Sequence, residues 1–130
     1  MKKLAFIGRL LFALPFGVMG LNHFLMTDVF IGMMSSFIPG GAFSVLLTGA
    51  LLILGCILII LNKNLRIVCF GLTGLLFIFI LTIHVPGLFS LDLKVVQTHL
   101  IELLKDTSLM GSAILIAVFA DSFKTDSIKE

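Results

Sequence analysis

The stretch Ala42–Leu61, AFSVLLTGALLILGCILIIL, decides the fold. It carries no charged residue, and at ~1.5 Å of rise per residue it matches a bilayer hydrocarbon core of ~30 Å. Two further apolar runs, Leu4–Phe24 and Arg66–Val85, have the same character, and Thr98–Ala120 is a fourth, more polar one. The expected fold class is therefore all-α: an integral membrane four-helix bundle in a single domain, with spans near 4–24, 42–61, 66–85 and 98–120. In lipid every backbone polar group must be satisfied internally, which helices do within themselves.

Composition agrees. The 130 residues are 59% hydrophobic, against ~45–50% in ordinary soluble domains, and mean hydropathy is +1.23. The net charge of +2 is spread between the apolar runs. No basic cluster interleaved with aromatics is present, so nucleic acid is excluded as a partner. Met1-Lys2-Lys3 before an apolar run also opens secretory signals, but Arg9 interrupts that run and no small-x-small site ends it. A retained first span is expected.

Between the spans, Thr27–Gly41 reads as a loop, with Ser35-Ser36 and Pro39-Gly40-Gly41 as turn chemistry. Asn62-Lys63-Asn64 reads as a tight hairpin, Pro86-Gly87 as the stop of the third span, and the tail from Asp121 as frayed. Lys2, Lys3, Lys63, Arg66, Lys124 and Lys129 fall on one side of the bundle, Lys94 and Lys105 on the other. The positive-inside rule places both termini and the hairpin in the cytoplasm and the longer connections outside. Glu102, Lys105 and Asp106 lie early in the fourth span. One long helix riding partly in the headgroups is preferred there to an interfacial helix followed by a short span.

Helical periodicity then sorts the polar residues. At ~100° per residue, His99, Glu102 and Asp106 fall within about 60° of one another, and Ala113, Ala117 and Ala120 continue the same face. Small residues let helices approach closely, so this stripe should face the bundle. In the first span Arg9, Ala13, Phe16, Gly20 and His23 share a face, and Pro15 should kink the helix. In the second, Ser44, Thr48, Gly55 and Asn62 align; in the third, Arg66, Thr73, Phe77 and His84. All three histidines fall at outer helix ends.

Asn22, His23, His84, His99, Glu102 and Asp106 together form a candidate ligand-binding pocket under the outward loops. Capping and mutual pairing, including with Lys105, is the structural alternative for these residues. A metal site is not expected, since neither H-x-x-x-H nor H-E-x-x-H occurs. Arg9 is an inner-side anchor, either snorkelling to headgroups or facing the bundle to hold a carboxylate, a lipid phosphate or a quinone carbonyl. Cys56 and Cys69 each lie about six residues from the hairpin. They form no C-x-x-C and read as buried apolar side chains.

Several short segments resemble DoxX-like membrane proteins: Gly20-Leu21-Asn22-His23-Phe24, Met33-Met34, Phe37-Ile38-Pro39 and Leu47-Thr48-Gly49. Arg9 and Leu103-Leu104-Lys105-Asp106, followed by Leu109-Met110-Gly111, are similar to that family's first and last helices. The likeness covers nearly the whole chain. It implies a four-helix bundle in the bacterial cytoplasmic membrane. It also implies links to terminal quinol oxidase or thiosulfate:quinone oxidoreductase subunits and to complexes handling oxidative stress. Relatives often carry a glutamate three residues after the glycine of the second span, where this chain has Leu52.

The expected function is a non-catalytic accessory subunit of a quinone- or redox-linked membrane complex, its pocket holding quinone, bound lipid or a partner helix. The alternative is an assembly factor, a chaperone recognising client transmembrane segments. A small-molecule transporter ranks lower, because the first span offers Arg9 where exporters place a carboxylate. No nucleophile or phosphate-loop motif points to catalysis by the chain alone, and the histidine spacing does not select haem iron. Partners are the bilayer and a membrane protein or a second copy of the chain.

Overall fold

A computed structural model describes residues 2–34, 36 and 38–125. Among them every element is helical: α1 (Lys2–Leu25), α2 (Thr27–Met33), α3 (Ala42–Ile60), α4 (Leu65–Phe79), a π-helical turn (Ile80–His84), α5 (Val85–Gly87), α6 (Leu93–Val118) and α7 (Ala120–Thr125). Three segments are long and apolar enough to cross a membrane: Lys3–Leu25, Ala42–Ile60 and Leu65–Gly87. The more polar α6 is not among them, but it is one unbroken helix, as the facial pattern through Asp106 suggested.

The outward faces are strongly apolar, with Leu4 71%, Phe43 72% and Ile67 74% exposed. Such continuous apolar cover suits lipid and not water. Hydroxyls on the helices donate back one turn: Thr73 to the Cys69 carbonyl at 2.8 Å, Thr107 to Leu103 at 2.8 Å and Ser112 to Ser108 at 2.9 Å. That arrangement satisfies a polar side chain where no water can.

The helices pack as two pairs, α1 along α3 and α4 along α6, joined where α3 meets α4. Gly20 and Gly49 set the first crossing. A Cβ at Gly20 would stand 2.8 Å from the Gly49 carbonyl oxygen, and one at Gly49 would stand 2.7 Å from the His23 Cβ. At the hairpin end one core runs through both pairs, including Phe12, Ala13, Ile59, Leu65, Cys69, Ala113, Ala117 and Ala120. The buried alanines are the small-residue face read from the sequence. Cys56 and Cys69 are both buried free thiols.

Asn62 and Asn64 form the hairpin with positive φ of 56° and 50°, a region that asparagine tolerates better than other non-glycine residues. Asn62 Nδ2 also donates to the Phe123 carbonyl at 3.2 Å, and Arg66 pairs with Asp121 at 2.8 Å, tying α7 to this end. Replacing Asn64 by Val is expected to cost about 1–2 kcal/mol through backbone strain alone. Asn64→Gly should stay within about 0.5 kcal/mol of the parent in thermal unfolding.

Three expectations need correction. Thr27–Gly41 is not a loop throughout, because α2 occupies its first half. Asp28 sits in the helix's first turn, and the Thr27 hydroxyl donates to the His23 carbonyl at 2.8 Å, tying α2 to the end of α1. The third helical segment does end at Pro86-Gly87, with the proline carried inside its last turn. The turn before it widens to i→i+5, with Val85 N–H bonding Ile80 O, and relieves the clash between the proline ring and the carbonyl four residues earlier. The third helix buries Leu65, Cys69, Leu72 and Leu76, while Arg66 and Phe77 point outward. Residues 121–125 are helical and not frayed. The rest of the tail with Lys129, and Ser35 and Phe37, lie outside the described residues.

Candidate functional site

At the end opposite the hairpin the two helix pairs part around a cavity of about 770 Å³. That is within the ~300–1,000 Å³ of small-molecule sites. Phe16, Leu52 and Leu76 belong both to the core and to the cavity wall. One side is α1 from Leu11 to His23, the other is α4 with its π turn, and Phe30 and Met33 of α2 line it as well. The wall is apolar except for Ser44, Thr48 and Thr82 and two polar groups, His23 on one side and His84, Glu102, Lys105 and Asp106 on the other.

That second group is built from two elements. Glu102 and Asp106 are four residues apart on α6, so both project from one face. His84 closes the π turn, and its Nε2 lies 3.2 Å from Asp106 Oδ2 with both side chains buried. His84 Nδ1 stands 3.5 Å from His99 Nδ1, and the His99 ring packs against Gly87, where no side chain would fit. Lys105 pairs with Glu102, and its Nζ is 3.8 Å from Asp106 Oδ1.

His23 is held separately. Its Nδ1 donates to the Met19 carbonyl at 2.7 Å, which fixes the tautomer of a neutral ring, and the ring stacks on Phe30 with centroids 3.9 Å apart. Thus α2, read from the sequence as loop, supplies the aromatic surface that orients a pocket histidine.

Of the residues singled out in the sequence, the fold brings His84, His99, Glu102 and Asp106 into one cluster, with His23 on the same cavity. Asn22 is half-buried on α1 and does not line the cavity. Arg9 lies toward the hairpin end, off the cavity, with its guanidinium carbon 5.7 Å from the Phe123 ring centroid. Its Nε is buried without a hydrogen-bond partner among the described residues.

Sequence reasoning passed over Lys105, Ser44 and Thr48 as wall residues, and the apolar wall itself. Only the alignment of Ser44 with Thr48 hinted at it. No family model, curated protein or solved structure matches this chain.

Proposed function

We propose that the chain is a four-span protein of the bacterial cytoplasmic membrane, with α6 as its fourth span and both termini inside. Its cavity holds an apolar molecule with a polar head, a quinone or a lipid. On this reading it is a non-catalytic accessory subunit of a quinone- or redox-linked membrane complex, in line with its resemblance to DoxX-like proteins.

The observation that carries the reading is the cavity itself, with a mostly apolar wall that also presents His23, His84, Glu102, Lys105 and Asp106. An acyl or isoprenoid tail suits the apolar part, and hydroxyl, carbonyl or phosphate oxygens suit the cationic and imidazole donors. Leu52 lies on the wall. Where DoxX-like proteins often carry a carboxylate, this cavity has an apolar side chain.

A second reading draws on the same wall. Leu11, Leu14, Val18 and Ile78 line the cavity yet remain exposed, so the space opens sideways between α1 and α4. A client transmembrane segment could seat there, which is the assembly-factor alternative.

Purified protein should carry quinone or phospholipid detectable by mass spectrometry after denaturation. Added ubiquinone analogue at a hundredfold excess over Kd should stabilise it by about 2.7 kcal/mol, a shift of several degrees in Tm. Glu102→Ala and His99→Ala should reduce that shift, and Thr48→Phe, which fills the cavity, should abolish it. An unchanged shift in all three variants would remove the pocket reading. Crosslinking in native membranes that captured only nascent membrane proteins would favour the second.

A further inference from the structure

His84, Glu102 and Asp106 present ligand atoms, one imidazole nitrogen and two carboxylate oxygens, that all lie within 4.8 Å of one another. Nitrogen and oxygen donors sit ~2.0–2.2 Å from a zinc-like ion, so donors on one tetrahedral ion stand about 3.4 Å apart. His84 Nε2 and Asp106 Oδ2 already stand 3.2 Å apart, and side-chain movement of about 1 Å brings the Glu102 oxygen to the same ion. The geometry points to a divalent transition-metal site formed by His84, Glu102 and Asp106, with a fourth position open to the cavity.

Two of the three ligands are buried and Glu102 is half-buried. His84 and Asp106 are only 6% and 5% exposed, where acidic groups gathered on open surfaces would be unremarkable without an ion. Two carboxylates face one ammonium, Lys105, which sits against Glu102 and 3.8 Å from Asp106. One divalent ion neutralises both carboxylates and frees Lys105 to turn outward, toward the side on which it is already 41% exposed. A locally neutral set is what a low-dielectric site favours.

A second imidazole, His99, stands beside the first. Metal-bound histidines almost always give their other ring nitrogen a partner, which fixes the tautomer and the ring orientation. His84 Nε2 faces the carboxylate, and its Nδ1 faces His99 Nδ1 at 3.5 Å. With Nε2 on the ion, the Nδ1–H donates to His99, whose ring is seated in the space that Gly87 leaves. One imidazole with two carboxylates suits zinc, iron(II) or manganese(II) over the soft ions that thiolates select.

Spacing motifs cannot show this site, because its ligands come from two helical segments and one of them closes a π turn. The ion and the molecule in the cavity are separate questions, since ion binding is measured with no quinone or lipid added. Either can fail while the other stands.

The test uses the full chain, stripped with chelator and reconstituted in nanodiscs, with Zn²⁺ alone as probe. Equilibrium dialysis followed by metal analysis should find one Zn²⁺ per chain. Asp106→Asn and Glu102→Gln, which keep shape and remove charge, should lose it. His99→Ala should weaken it roughly 10–100-fold as a second-sphere change. Lys105→Gln should bind more tightly, an outcome that no misfolded variant produces. Absence of stoichiometric zinc in the parent overturns the site. So does unchanged zinc in both carboxylate variants, or weaker binding in Lys105→Gln.

Discussion

His84→Ala is expected to destabilise the protein by roughly 3 kcal/mol, the lower end of the ~3–5 kcal/mol seen when one member of a buried pair is removed. The variant leaves Asp106 buried, 5% exposed, without its partner at 3.2 Å. Lys105, 3.8 Å from the other carboxylate oxygen, offsets part of that loss, which is why the lower figure applies. Asp106→Ala leaves an imidazole unsatisfied in place of a carboxylate, so it should cost less, about 1–3 kcal/mol. Replacing both, as His84→Phe with Asp106→Leu, should return stability to near the parent, because an apolar pair carries no desolvation penalty. Reversible unfolding in mixed micelles reads all three. Additive losses in the double variant would mean that the two side chains do not act as a pair.

Gly49→Ala should cost about 1–3 kcal/mol by overpacking, and larger side chains should cost more. Its added methyl would meet the His23 Cβ at 2.7 Å, the Gly20 carbonyl oxygen at 2.9 Å and Phe24 Cε2 at 2.9 Å. Two of those are backbone or backbone-proximal atoms that cannot rotate away, so α1 and α3 must separate. Gly20→Ala should behave alike, since its methyl meets the Gly49 carbonyl oxygen at 2.8 Å. Gly71 is the control. A Cβ there meets nothing within 4 Å, so Gly71→Ala should be neutral or stabilising by helix propensity. Because His23 touches Gly49, the Gly49 variant should also disturb ligand stabilisation, which Gly71→Ala should not.

Much of the frame was readable in the chain because period 3.6 holds in α1 and α6. Ala13, Phe16, Gly20 and His23 are buried on one face of α1, and Asp106, Ala113, Ala117 and Ala120 on one face of the last helices, as their spacing requires. The third helix escaped for a definite reason. In an unbroken α-helix His84, seven residues on, shares the face of Phe77. The π turn absorbs one residue, about 100° of rotation, and brings His84 over Leu76 instead. Leu76 is 3% exposed and Phe77 50%, so that one residue decides whether the imidazole meets α6 or faces outward. The cavity was illegible for another reason. It exists where the two helix pairs fail to touch, and periodicity describes faces, not the gap between them. The helix α2 was hidden by its shortness, since Thr27–Met33 offers too few turns for a repeat to show.

The sideways gap at Leu11, Leu14, Val18 and Ile78 changes what affinity means for whatever enters there. A hydrophobic solute arriving from the surrounding leaflet is already concentrated by partitioning, so occupancy follows its mole fraction in the bilayer and not its aqueous solubility. A weak intrinsic preference for the interior then suffices for saturation in a native membrane. The same site would empty on dilution into excess detergent, so titrations compared across preparations should be scaled to the amphiphile present.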